Sequence, residues 1–298
     1  MKFLKRNQIK DDKWNECILK STNGLIYGLT WFLDELTSNW CAFVNEKEGS
    51  YTAVFPVPFK RKFAVKYVYT PFFIQQLGLF ALNYSRQEEE IAISLMKKKF
   101  NFIELNLNYK ADKGDVKTNL VLKLNHNYSE IQSCYSNNHF RNLKKANKYG
   151  LKLKKETLPE QIVSLFKSDR GLSLETYSSL DYQNLLNLCS KARLENSLIT
   201  LGVTINSVLI CGGVFMKFKN RIIFLFSGNS KQGKDSGALF FLLDSIIKMY
   251  ANSGFILDFE GSQNQGLNRF YKGFGAYEEN YRFLKINNLP KPIKLFKK

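Results

Sequence analysis

Residues 255–276, FILDFEGSQNQGLNRFYKGFGA, set the reading of the whole chain. Phe255-Ile256-Leu257-Asp258-Phe259-Glu260 is a short apolar run carrying two acids, followed by a turn and a helix that closes on a glycine. Side chains alternate faces along a strand, so Asp258 and Glu260 are expected on one face, about 7 Å apart, with Phe255, Leu257 and Phe259 on the other. Two carboxyls at a strand end beside a glycine turn are where α/β proteins tend to keep chemistry. The same two acids would serve equally as salt-bridge partners for the many lysines.

Outward from this segment, composition narrows the class. A chain of 298 residues is comfortable as two domains, and 25 Phe with 15 Tyr argue for packed cores rather than disorder. Lys and Arg outnumber Asp and Glu by 44 to 26, a formal charge of +18, which favours anionic partners such as a nucleotide cofactor, RNA or phospholipid. Five scattered cysteines without a CxxC or Cys/His cluster suggest neither a disulfide framework nor a zinc site, and no metal is expected. The N-terminal MKFLKRNQIKDDKW has no signal-peptide core, and no apolar run approaches the roughly 18 residues of a membrane span, so a cytoplasmic protein is expected. Both histidines, His126 and His139, read as surface residues.

The order of predicted elements contains a repeat. The first half has a hairpin over 51–74, with Pro56 and Pro58 marking a sheet edge or bulge, then a helix over 87–100 and the strand Phe102-Ile103-Glu104-Leu105-Asn106. The second has a hairpin over 208–227, a strongly apolar helix over 237–251 and the strand with Asp258. Alignment of the two strands sets Glu104 against Asp258, and two copies of one α+β unit follow, divided as 1–126 and 127–298. A helix from Asn138 to Tyr149 opens the second. On it Arg141, Lys144, Lys145 and Lys148 form a basic stripe, fit for the phosphates of a nucleotide or tRNA or simply solvated.

A hairpin, a glycine-bearing loop, a helix and a strand with an acid resemble the core of the acyl-CoA N-acyltransferase (GNAT) fold, whose loop offers backbone N–H groups to a pyrophosphate. Here Gln232 and Gly237 match the ends of that family's signature, with Gly233 in the loop, while Asp235 stands where the first glycine belongs. The loop is therefore either a damaged cofactor site or a plain connection. Asp258-Phe259-Glu260-Gly261-Ser262, Gly266-Leu267-Asn268-Arg269-Phe270-Tyr271-Lys272 and Phe274-Gly275-Ala276 resemble the C-terminal signature of Fem-like acyltransferases, including the BioF2-like group of Bacteroidetes. Arg141-Asn142-Leu143-Lys144-Lys145-Ala146 and Thr70-Pro71-Phe72-Phe73-Ile74-Gln75-Gln76-Leu77-Gly78 are similar to further motifs of that family.

The resemblance implies tandem GNAT-like domains, each a mixed, mostly antiparallel sheet flanked by helices. It implies transfer of an acyl or aminoacyl group, from acyl-CoA or aminoacyl-tRNA, to a small-molecule or peptide-like amine. Asp258 is then the candidate general base, with Glu260 the alternative, because an attacking amine must shed a proton. Tyr271 is a candidate proton donor or a packing residue. Arg141, Lys145, Gln232, Gly233, Gly237, Arg269 and Lys272 are candidates for holding the donor. Gln75 and Gln76 could bind an amide-bearing substrate or make turn hydrogen bonds. The alternative function is a catalytically inactive relative that binds nucleic acid or another polyanion.

Overall fold

The chain opens with a short strand, Lys2–Lys5 (β1), the helices Asp11–Lys20 (α1) and Thr30–Leu36 (α2), and a long hairpin, Trp40–Lys47 (β2) and Ser50–Lys62 (β3). The computed structural model describes residues 1–62, 65–170, 177–261 and 263–290; Ser262 of the quoted signature lies outside these. The hairpin turns at Glu48 and Gly49, both at positive φ (50° and 77°), the pairing that a two-residue turn needs to match strand twist. Pro56 and Pro58 lie between the ladders that β3 makes with Val65–Val68 (β4) and Phe80–Ala81 (β5), on a stretch paired with β2 alone. The missing N–H groups therefore break no ladder bond, although β3 lies inside the sheet and not at the expected edge.

Arg86–Lys99 (α3) follows, with the Ser85 hydroxyl capping the Glu88 N–H, acids in its first turn and three lysines in its last, the arrangement a helix dipole favours. Glu89, however, is buried, and the Tyr84 hydroxyl donates to its Oε2 at 3.0 Å. Burial pushes this carboxyl up to about 7. Tyr84 and the nearby Leu79 backbone pull the other way, Leu79 without closing a bond of normal geometry. Phe102–Leu107 (β6) and Asp115–Lys117 (β7) complete this part of the sheet. Its order is β1-β2-β3-β4-β6, then the late strand Tyr281–Asn287, then β7, with β4 and β6 parallel.

The second sheet begins with Leu120–Lys123 (β8), followed by helices Tyr128–Ser133 (α4) and Asn137–Lys148 (α5). Lys152–Lys155 (β9), Pro159–Arg170 (α6), Ser179–Leu194 (α7), Leu198–Ile205 (β10), Val208–Phe218 (β11) and Arg221–Asn229 (β12) come next. A short helix Lys231–Ser236 (α8), the helix Ala238–Tyr250 (α9), the strand Ile256–Asp258 (β13), the helix Gln265–Lys272 (α10) and Tyr277–Glu278 (β14) complete it, before Tyr281–Asn287 (β15) returns to the first sheet. The order is β14-β8-β13-β12-β11-β10-β9, with β12 and β13 parallel. Leu242, Leu243, Ile246 and Ile247 of α9 are fully buried, and each contributes about 1.5–3 kcal/mol against its exposed state.

Two compact units result: Met1–Lys117 with the chain from Asn280 on, and Thr118–Glu279. This differs from a division at 126/127. β8 pairs with β13 and so belongs to the second unit, while β15 pairs with β6 and β7 and so belongs to the first. Each unit is a mixed, mostly antiparallel sheet with helices, and in each the acid-bearing strand has one parallel and one antiparallel neighbour.

Candidate active site

The strand with Asp258 is shorter than its apolar run, and it lies inside the sheet between β8 and β12. Side chains on both faces of such a strand are covered, so Leu257, Asp258 and Phe259 are all buried. Glu260 does not continue the alternation. Its φ is +51°, the chain turns there, and it is half-buried. Asp258 and Glu260 therefore do not share a strand face, because the strand ends at Asp258.

Asp258 is engaged. Arg221, at the head of β12, is paired across the ladder with Ile256, which puts Asp258 on the same face two residues along. Arg221 Nη1 donates to Asp258 Oδ2 at 2.6 Å, and its Nη2 lies 2.7 Å from Glu279 Oε2. The side chains of Arg221 and Asp258 are 9% and 1% exposed, so this is a buried ion pair. The Glu260 N–H donates to Asp258 Oδ1 at 2.9 Å. Burial works against the Arg221 charge, and the two carboxylates outweigh it, holding the guanidinium above its ordinary value. Asp258 thus fixes Arg221 and the Glu260 turn, and has no exposed oxygen with which to receive a substrate proton. Sequence reasoning missed Arg221 and Glu279. The signal was a lone charge opening the apolar run Arg221-Ile222-Ile223-Phe224-Leu225-Phe226, since a buried charge requires a partner.

The expected phosphate loop is mostly helical. The Ser230 hydroxyl caps the Gly233 N–H at 3.1 Å and opens α8, so Gln232 and Asp235 stand exposed on a helix rather than in an open loop. Gly233 is buried, and a Cβ there would lie 2.1 Å from Asn229 Oδ1. Gly237 ends α8 and starts α9 in the left-handed conformation (φ +77°), which glycine adopts without strain. A Cβ on it would stand 3.0 Å from the Asn142 carbonyl, so the basic helix α5 lies against this junction. Arg141, Lys144, Lys145 and Lys148 are exposed on α5, and Leu143 and Ala146 are buried beneath them.

His139, expected at the surface, is 2% exposed and holds α5 to the end of α10. Its Nε2 lies 2.9 Å from the Phe270 carbonyl, which can only accept, so Nε2 carries the proton and Nδ1 accepts from the Ser136 hydroxyl at 2.8 Å. Phe240, Phe270 and Phe274 surround the ring at centroid distances of 4.9, 5.6 and 4.3 Å. A Cβ at Gly273 would come within 1.9 Å of the imidazole, so only glycine permits this approach. Burial lowers the His139 pKa, opposed by the bond to Phe270. The partners lie 131 residues apart in sequence, beyond any local pattern. His126 is exposed, 3.2 Å from Glu130.

Of the remaining candidates, Tyr271 is half-buried with its ring stacked on Phe259 at 4.8 Å. Arg269 is exposed, and Lys272 pairs with Glu278 at 2.6 Å. In the first unit Gln75 and Gln76 are buried. The Gln76 amide donates to Gln75 Oε1 at 2.7 Å, and Gln76 Oε1 has no hydrogen-bond partner among the described residues. No group of three metal-ligating side chains occurs among the described residues, and no described helix is long and apolar enough to cross a membrane.

No family model matches this sequence, and no curated protein matches it. Solved structures do match by fold. FemX superposes over 100% of both chains with a TM-score of 0.69 and 13% identity. The C-terminal domain (DUF2156) of a putative lysylphosphatidylglycerol synthetase from Agrobacterium fabrum covers 96% of this chain and 93% of its own, at TM-score 0.58 and 9% identity. A tandem GNAT protein from the clavulanic acid biosynthesis pathway covers 97% and 99%, at 0.56 and 10%. The chain therefore has a Fem-like, tandem GNAT fold.

Proposed function

We propose that this protein is an N-acyltransferase that moves an acyl or aminoacyl group from acyl-CoA or aminoacyl-tRNA to an amine. The observation that supports this reading is the meeting of the basic helix α5 with the Gly237 junction. A donor phosphate at the start of α9 would meet backbone N–H groups and the positive end of the helix dipole, with Arg141 and Lys145 supplying counter-charge. The GNAT neighbour implies acyl-CoA use in general, while the other donor rests on the resemblance to Fem-like enzymes.

In the transfer, the amine nitrogen bonds to the acyl carbon as the bond to the donor's sulfur or ribose oxygen breaks. The proton shed by the amine goes to a carboxylate, and the departing atom takes one from the Tyr271 hydroxyl or water. The half-buried Glu260 is better placed as base than the fully covered Asp258, which acts as a positioning residue through the Glu260 N–H. Thermal unfolding with each donor tests the reading. A true donor at 100 times its Kd adds about 2.7 kcal/mol. Arg141→Gln/Lys145→Gln should lose that stabilisation. Glu260→Gln should keep it and lose transfer. Absence of both stabilisation and transfer with either donor overturns the proposal.

A second reading, a catalytically inactive polyanion binder, is favoured by one observation: Arg141, Lys144, Lys145 and Lys148 are exposed together on one helix of a chain with formal charge +18. It requires binding that weakens steeply with salt, without turnover of any donor.

A further inference from the structure

The register of the first sheet gathers a set of aromatic and cationic side chains that the acyl-transfer reading does not use. Phe3 and Lys5 of β1 lie opposite Phe43 and Cys41 of β2, and Cys41 lies opposite Val57 of β3. Opposite residues share a face, as do residues two apart, so Phe3, Lys5, Cys41 and Phe59 project from the same side of the sheet. Lys66 of β4, opposite Arg61, reaches that side from the neighbouring strand, and Lys99 and Phe100 close it from the end of α3. Together they line a cavity of about 680 Å³, within the roughly 300–1,000 Å³ of small-molecule sites.

The charge in this cavity is one-sided. Among the described residues no Asp or Glu lines it. Arg6 at its rim is neutralised by Asp11 and Asp34, at 2.7 and 2.6 Å. Lys5, Lys66 and Lys99 form no ion pair among the described residues. Instead the Lys99 ammonium stands over the Phe3 ring, 4.0 Å from its centroid, and Lys66 stands 5.7 Å from Phe59. Phe59 and Phe100 meet at 5.6 Å. Burial pushes the Cys41 thiol at the floor up to about 12, with Lys99 and Lys66 pulling the other way, so both ammonium charges are felt inside the cavity.

Three unneutralised ammonium groups around one concave aromatic surface call for a compact multivalent anion attached to a planar body. We propose that this groove binds a nucleoside phosphate, its phosphate between Lys5, Lys66 and Lys99 and its base on the wall formed by Phe3, Phe59 and Phe100. The site lies wholly in the first unit and does not rest on the acyl-transfer reading. The nucleotide could be free or the end of an RNA strand, and the two sources share this chemistry.

Calorimetric titration with AMP, adenosine, inorganic phosphate and a short 5′-phosphorylated single-stranded RNA tests it. AMP should bind, with adenosine and phosphate each at least about tenfold weaker, because each supplies half of the contacts. Lys66→Gln/Lys99→Gln should weaken AMP at least about tenfold while the ligand-free protein keeps a cooperative unfolding transition with only a small shift of its midpoint, since both side chains are exposed. Arg141→Gln/Lys145→Gln should leave AMP binding intact, which separates this site from the proposed donor site. RNA binding tighter than AMP, and lost in the Lys66/Lys99 variant, identifies a strand end as the source; tighter AMP identifies the free nucleotide. Absence of AMP binding, unaltered binding in the Lys66/Lys99 variant, or phosphate binding as tightly as AMP overturns the proposal.

Discussion

In the first unit Glu89 is buried beside the Tyr84 hydroxyl, whereas in the second Asp258 is buried against the Arg221 guanidinium. The strands that correspond in the repeat differ again. Glu104 on β6 is 37% exposed and 3.2 Å from Lys285, while Asp258 is 1% exposed and part of a three-residue ionic group. Both strands have one parallel and one antiparallel neighbour, so the ladder does not cause the difference. The cause is what covers each face. An acid in this position is therefore not a catalytic signature of the unit; its role depends on the cation that reaches it.

Breaking the buried pair should have the largest effect. Asp258→Ala leaves Arg221 buried beside Glu279 alone, and a loss of about 3–5 kcal/mol in urea unfolding is expected. Glu104→Ala at the equivalent place should cost no more than about 1 kcal/mol, since its pair is open to solvent. Equal losses at the two positions would show that repeat position, not the partner, decides stability. Glu89 sharpens the same contrast. Its folded value is about 7 against an ordinary 4.5, so the folded protein holds a proton that the unfolded chain has released. Its contribution is fully present below pH 4.5 and is lost as pH rises through 7, a span worth about 3 kcal/mol at 1.36 kcal/mol per unit. Glu89→Gln should remove this decline. A variant that retains the wild-type slope between pH 5 and 8 would rule Glu89 out as its source.

Much of the architecture was legible because it depends on local rules. The apolar helix α9, the hairpin of β11 and β12 and the basic helix α5 follow from period and composition. The repeat was legible for the same reason. Its boundary was not, because β8 and β15 each join a sheet by pairing with strands distant in sequence, and no local pattern encodes that exchange. Asp258 and His139 fail in the same way. Alternation placed Asp258 on a face, but it carries no information about what stands above that face, and the Arg221 partner lies 37 residues away. The basic stripe on α5 was readable because exposure follows directly from helical spacing, and nothing has to cover it.

His139 provides the finest test of the second unit. Its ring takes one hydrogen bond and donates one inside an aromatic shell that has no room for a second proton's charge. Burial lowers its pKa below 6.5, so well above pH 6.5 the ring is neutral in both folded and unfolded states and contributes no pH dependence. As pH falls below 6.5, the unfolded chain takes up the proton first, and stability should decline through the folded value. Glu89 acts in the opposite direction over the same interval, gaining stability as pH falls from 7 towards 4.5. The two are separable by location: amide hydrogen exchange should show α5 losing protection on acidification while α3 gains it. His139→Phe keeps the ring packing and strands the Phe270 carbonyl, at a cost of about 1–3 kcal/mol, and should abolish the acid-side loss in α5 without changing α3. If α5 in His139→Phe still loses protection below pH 6.5, another group titrates there, and His139 is a packing residue without a role in the pH response.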